Sequence, residues 1–261
     1  GANDVANAMA STVGSKTLSV RSAVIVAAIF EAVGAMLASG QVTNMIRYGI
    51  IDIHVFNDQL PVFVVGMLAA LMSAATWLLI ATHNGWPVST THSIIGAVLG
   101  FGLVSVGKKN ILWSSLGGIM MSWVLTPLCA IGVAYIVFTM ISRLVLSAED
   151  PLKQAGWLIP VCMMLLVVIF SGVTIFQGID AIGIHMGLWQ KYAVVILAAV
   201  IALMIGGVYT QRRLEKIRKS DRDGQLRAVE DKFGILSIMT AASMAYAHGS
   251  NDVANAIGPV A

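Results

Sequence analysis

The sequence predicts an all-α polytopic membrane protein built on a duplicated half. Three observations predict it: long runs without charge, the helix-type composition of those runs, and an octapeptide that occurs twice. Of 261 residues, 57% are hydrophobic and only 11% are charged, with a mean hydropathy of +0.84. A soluble domain carries about 25% charged residues. No Asp, Glu, Lys or Arg occurs in 59–107, 110–142, 154–179 or 192–211. A hydrocarbon core of about 30 Å is crossed by about 20 apolar residues in a helix, and every one of these runs reaches that length. Backbone groups in lipid must satisfy one another, and runs rich in Ala, Gly, Leu and Met favour helices over barrel strands. Five or six spans fit.

In chain order, a first span is expected over 20–39, then a polar stretch to Gln59 containing Arg47, Asp52 and Asp58. A second span covers 61–81. The cluster Thr82-His83-Asn84-Gly85-Trp86-Pro87 should end it, because Gly is permissive and Pro removes a donor and disfavours helix just before it. A new helical stretch starts near Ser89 and ends by Gly107, and it either crosses or re-enters. Further spans read as 113–141, 157–176 and 189–209. Segment 211–232 holds eight Lys or Arg against five Asp or Glu, and the positive-inside rule makes it a short cytoplasmic loop. Counting back two spans keeps Arg143 and Lys153 on the same side. A last span begins near Phe233 and is expected to be interrupted at His248-Gly249. Cys129 and Cys162 lie in apolar runs and read as reduced packing residues, with a disulfide as the alternative that nothing in the sequence supports. The net charge of +3 sits in loops, so it orients the chain in a lipid bilayer and gives no nucleic-acid site.

The repeat is the strongest signal. Gly1-Ala2-Asn3-Asp4-Val5-Ala6-Asn7-Ala8 returns as Gly249-Ser250-Asn251-Asp252-Val253-Ala254-Asn255-Ala256, with seven of eight positions identical at a separation of 248 residues. That period is far too long for a solenoid and fits duplication of a half. Membrane carriers are often built so, with substrate and coupling ions held at the repeat interface by discontinuous helices. The expected organisation is 1–210 as the first half with connecting spans, 211–232 as the loop, and 233–261 as the start of a truncated second half.

The octapeptide suits such a site. Gly permits a backbone break and close approach to a ligand. Asn and Asp cap helices, so Asn3-Asp4 and Asn251-Asp252 are each expected to open one. Free amides there, aided by the helix dipole, favour an anion. Asn3 and Asn7 share a face, as do Asn251 and Asn255. Asp4 and Asp252 would repel an anion if both were ionised. A cation or a proton must therefore neutralise them, and burial favours the protonated carboxyl. Coupling to Na⁺ or H⁺ follows, and the residues do not choose between them. Glu31 is the only acidic residue of its span and is a functional candidate on that ground. Pro87-Val88-Ser89-Thr90-Thr91-His92 offers three hydroxyls and a second helix start. His92 and His248 are candidates for moving protons or orienting their loops. No metal site and no organic cofactor are expected. His-Glu-x-x-His, Gly-x-Ser-x-Gly and a P-loop are all missing, so nothing supports an enzyme or an ATP-driven pump.

At these residues the sequence resembles the inorganic phosphate transporter family of secondary carriers, of the bacterial low-affinity permease type. The resemblance lies in the two Gly-x-Asn-Asp-Val-Ala-Asn signatures, in Phe30-Glu31 and in Pro87-Val88-Ser89-Thr90-Thr91-His92. It implies an inverted-repeat fold that symports inorganic phosphate with Na⁺ or H⁺ across a bacterial inner membrane; in bacterial members the cargo can be a metal–phosphate complex. It implies that Asn3, Asp4, Asn7, Ser89, Thr90, Thr91, Asn251, Asp252 and Asn255 line the substrate site. Asp4, Glu31 and Asp252 would couple the cation, and a homodimer is the candidate assembly. The family pattern also supplies a helix before the first signature and a second Pro-x-Ser-x-Thr-His element after the second. The chain is therefore expected to be a fragment that does not transport alone. Sulfate is the rival cargo on the same scaffold, and a non-transporting anion sensor is the rival class. Phosphate can donate a hydrogen bond to a carboxylate and sulfate cannot, so the paired Asp residues favour phosphate.

Overall fold

Every regular element among the described residues is helical, apart from an isolated antiparallel bridge between Ile51 and Ile111. The structure, a computed structural model, describes residues 2–178, 183–217 and 221–260, and the side chains of 2–4, 41, 177 and 211–217 lie outside the described set. The α-helices are α1 Ala2–Gly14, α2 Val20–Ala38, α3 Gly40–Tyr48, α4 Leu60–His83, α5 Thr90–Ser105, α6 Trp113–Ile141, α7 Pro151–Val173, α8 Leu188–Ile217 and α9 Arg222–Ile257. Five helical stretches are long and apolar enough to cross a membrane: Val20–Ala38, Leu60–His83, Trp113–Leu146, Pro151–Phe176 and Leu188–Thr210. They match the spans expected over 20–39, 61–81, 113–141, 157–176 and 189–209, whereas α9, where a last span was expected from Phe233, is not among them. Helix α5 is apolar but has 16 residues, which is about 24 Å of helix and short of the core thickness.

Local chemistry sets the break that matters most. Helix α4 ends where Gly85 takes φ +68°, which costs glycine nothing. Trp86 N–H then donates to the Ala81 carbonyl at 2.9 Å and Gly85 N–H to that of Thr82 at 3.2 Å, so two orphan carbonyls are satisfied. Pro87 forbids continuation. Helix α5 begins one turn later with Ser89 as N-cap, extended at φ −86° and ψ 127°, its Oγ accepting from His92 N–H at 3.2 Å. The predicted discontinuity is therefore present at 84–89. Asp150 caps α7 likewise, accepting from Lys153 N–H at 2.9 Å ahead of Pro151.

The chain divides into two compact units. One comprises 1–4, 31–126 and 246–261; the other comprises 5–30 and 127–245. The first unit is built around the α4–α5 pair, with Met67, Ala70, Ile94, Val98, Leu116 and Ile119 buried together. Phe56 is buried in the same cluster and Phe63 and Phe101 pack against it, Phe56 stacking on Phe101 at 5.8 Å between centroids. In the second unit α7 and α8 pack along their length, and Gly206 lies so near Pro160 that a Cβ there would meet its Cα at 2.8 Å. Small residues buried on α1, α2 and α9 (Ala8, Ala23, Ala27, Ala241, Ala245) form a separate cluster, the close-approach packing that helices use in lipid.

Three expectations need correcting. The polar stretch after α2 contains helix α3 and a 3₁₀ turn at Ile53–Phe56. Val42 and Ile46 lie four apart on its inner face, with Ile46 only 2% exposed, and that amphipathic spacing is enough to order it. Segment 211–232 holds the end of α8 and the start of α9. Its Lys, Arg and Glu residues are good helix formers, and Val229 and Lys232 are buried, with the Lys232 ammonium 4.4 Å from the Tyr209 ring centre. Finally, α9 is not interrupted at His248-Gly249 but runs unbroken to Ile257. A glycine inside a helix costs about 1 kcal/mol, and here its missing side chain serves helix contact rather than a break.

Candidate functional site

Asn251 and Asp252 consequently do not open a helix. They sit inside α9, where their backbone N–H groups are spent on the preceding turns, so the second octapeptide presents side chains and no free amides. The helix start lies opposite, in α5. Thr90 and Thr91 occupy its first turn, whose N–H groups have no carbonyl within the helix to meet.

Helices α5 and α9 meet through these side chains. Thr90 Oγ1 donates to Asp252 Oδ1 at 2.8 Å. Asn251 Nδ2 donates to Thr91 Oγ1 at 2.8 Å, and Asn255 Nδ2 donates to the same oxygen at 2.9 Å. Asn255 Nδ2 also reaches Thr90 Oγ1 and Asp252 Oδ1, each at 3.3 Å. Asn251 and Asn255 lie one turn apart, which is why both amides reach one hydroxyl. Asn255 is only 7% exposed, and its Oδ1 is buried with no hydrogen-bond partner among the described residues. The cluster thus gathers a carboxylate, two hydroxyls and an amide oxygen beside the positive end of a helix. Oxygen ligands of that type suit a hard cation, and the helix start suits an anion.

Close backbone approach frames the site. A Cβ on Gly249 would fall on the Glu31 carbonyl group, and one on Gly34 would fall on that of Tyr246 and lie 3.1 Å from the Ser250 nitrogen. Glycines from α2 and α9 therefore meet reciprocally, and Glu31 lies at the contact through its backbone, half-buried, with Oε1 buried. Gly34, three residues after Glu31, was not singled out from the sequence, although its spacing placed it on the same face. His248 is half-buried with Nδ1 enclosed and without a hydrogen-bond partner among the described residues. His92 lies on the exposed side of α5, its ring against Trp123 of α6 at 3.8 Å between centroids. Trp123 is a second residue that sequence reasoning missed, and an aromatic in mid-span was its signal.

The remaining candidates divide. Ser89 is exposed and its hydroxyl oxygen is engaged as the cap of α5. Asn7 is exposed on α1, in the second unit. The side chains of Asn3 and Asp4 lie outside the described residues.

The comparisons with known proteins agree with one another. The model of the phosphate transporter family matches residues 1–261, the whole chain. A protein of Haemophilus influenzae, named as a candidate phosphate permease, is 40% identical over 260 residues, covering 100% of this chain and 61% of its own length. An inorganic phosphate transporter of Arabidopsis thaliana chloroplasts is 37% identical over 276 residues, covering 100% of this chain and 47% of its own. A solved structure described as the sodium-dependent phosphate transporter superposes with a TM-score of 0.86 at 33% identity, over 99% of this chain and 62% of that one. The chain thus spans roughly half to three fifths of the proteins it matches. With five spanning helices and the paired signature, it is a multi-pass integral membrane protein that belongs to the phosphate transporter family.

Proposed function

We propose that the carrier of which this chain forms part symports inorganic phosphate with a cation. The observation that carries this reading is the hydrogen-bonded junction of α5 and α9, in which Thr90 meets Asp252 of the repeated signature. There the start of a helix, favourable to an oxyanion, lies beside a carboxylate that must be neutralised. Thr90, Thr91, Asn251, Asp252 and Asn255 form this half of the site. Asn3, Asp4 and Asn7 of the first signature, with Ser89, supply further ligands, and Asp4, Glu31 and Asp252 answer to the coupling ion. Na⁺ is favoured over H⁺, because the oxygen-rich cluster suits a hard cation and because the superposed structure is described as sodium-dependent. The cargo is free phosphate or its metal complex, and the host membrane is the bacterial inner membrane. By this reading 1–210 is the first half, 211–232 faces the cytoplasm, 233–261 begins the second half, and the carrier works as a homodimer.

The test is uptake of ³²P-phosphate into proteoliposomes holding the full-length carrier, under Na⁺ or H⁺ gradients imposed separately, with and without Mg²⁺ and with sulfate as competitor. Uptake should follow the Na⁺ gradient, resist sulfate and fall by about 100-fold in Asp252→Asn, the size expected when a charged ligand of the site is lost. Active, inserted carrier that moves sulfate and no phosphate would sink the assignment.

A further inference from the structure

Two residues outside the phosphate-site set face each other at the start of α5. His92 follows Thr90 and Thr91 directly, and its ring lies against Trp123 of α6, with centroids 3.8 Å apart and planes inclined by 34°. The first turn of α5 is thereby held on two sides. On one, Thr90 and Thr91 bond to Asp252, Asn251 and Asn255 of α9. On the other, the His92 ring packs on Trp123 of α6.

Trp123 is itself placed by a stripe on α6. Leu116 and Ile119 are buried in the core of the first unit and Trp123, one turn on, packs against that same core. No residue of α6 beyond Ile119 is buried. Pro127 follows within the helix, four residues after Trp123. Proline has no N–H to give the Trp123 carbonyl, so the hydrogen-bond ladder of α6 lacks one rung at Trp123 although the helix runs on to Ile141. The division between the two compact units also falls between Thr126 and Pro127. Trp123 is the last residue of α6 packed against the core of the first unit, and among the described residues the ring it meets is that of His92, beside the two site threonines.

We propose that His92 and Trp123 are a positioning pair: their ring contact holds the first turn of α5 against α6, at the last residue of α6 packed on the first unit's core, and so sets the Thr90 and Thr91 hydroxyls for their ligands. The role belongs to the ring of His92 and not to its protons. It rests on the reading of Thr90 and Thr91 as site residues.

The experiment is a double-mutant cycle in the full-length carrier, read as KM and maximal rate of phosphate uptake. His92→Ala and Trp123→Ala should each raise KM about tenfold with a smaller effect on maximal rate, and the double variant should be no worse than either single one, as for two groups acting as a unit. His92→Phe and Trp123→Phe, which keep a ring at the contact, should restore KM to within about threefold of wild type. Additive losses, unchanged KM in both alanine variants, or a His92→Phe as impaired as His92→Ala would overturn the proposal, the last by showing that imidazole chemistry is what counts. If an alanine variant does not fold, the phenylalanine pair decides: intact uptake supports the ring contact and lost uptake refutes it. A wild type that carries no phosphate at all would remove the functional reading and this proposal together, an outcome distinct from active wild type with additive variants.

Discussion

Thr91 is the residue on which the α5–α9 junction turns. Its Oγ1 accepts from two asparagine amides, Asn251 and Asn255, at 2.8 and 2.9 Å. Replacing it with valine keeps the shape and removes the acceptor, so an Asn255 amide that is 93% buried loses its best partner. A buried donor left unmet costs about 1–3 kcal/mol. Thr91→Val should therefore lower the stability of the purified carrier by about 2 kcal/mol, seen as an earlier midpoint in a thermal unfolding scan. Thr91→Ser keeps the oxygen and should melt close to wild type. Equal melting of the valine and serine variants would show that the longer contacts of the Asn255 amide to Thr90 and Asp252, at 3.3 Å, suffice without Thr91.

At the scale of elements, the crossing of α2 and α9 is set by the absence of side chains. The Cβ of Gly249→Ala would meet the backbone of Glu31, and neither backbone can yield without moving its helix. Overpacking of this kind costs about 1–3 kcal/mol, and more where only backbone is available to give way. Gly249→Ala should leave the protein inserted yet abolish uptake, whereas Gly172→Ala, where a Cβ meets nothing, should be silent. Active Gly249→Ala would mean that the two helices separate in the working carrier. The sequence announced Gly249 but suggested the wrong use for it. A Gly-Ser-Asn-Asp string is read locally as a helix break, and only a partner helix reveals that the glycine is there to be approached. By contrast, the break at 84–89 was legible residue by residue, because Gly85, Pro87 and Ser89 each act on their own neighbours.

For the whole molecule, the spans were legible because lipid imposes one rule on every residue in a run, and charge-free stretches satisfy it visibly. Helix α3 was missed because nine residues with Gln41, Asn44 and Arg47 among them resemble loop until Val42 and Ile46 find a core. The pairing of α5 with α9 joins residues 160 or more positions apart. The motifs carrying Thr90, Thr91, Asn251, Asp252 and Asn255 could be picked out singly, but their hydrogen bonds could not. Orientation in the membrane is a property of the entire chain, and the excess of Lys and Arg in 211–232 places that segment on the cytoplasmic side by our reading. In a background of Cys129→Ala and Cys162→Ala, a cysteine at the exposed Asp223 should resist an impermeant maleimide in intact cells and react in inverted vesicles. Reaction in intact cells would reverse the topology.

The two neighbouring threonines end with opposite spare valences. Thr90 gives its only proton to Asp252, so what its oxygen has left to offer is a lone pair. Thr91 has both lone pairs occupied by amides, so what it has left to offer is a proton. Adjacent hydroxyls of identical chemistry thus present an electron donor and a hydrogen donor within one peptide unit of each other. A cation can be met by the first and an oxyanion by the second, and exchanging their roles would require Asp252 to gain a proton or both asparagines to let go.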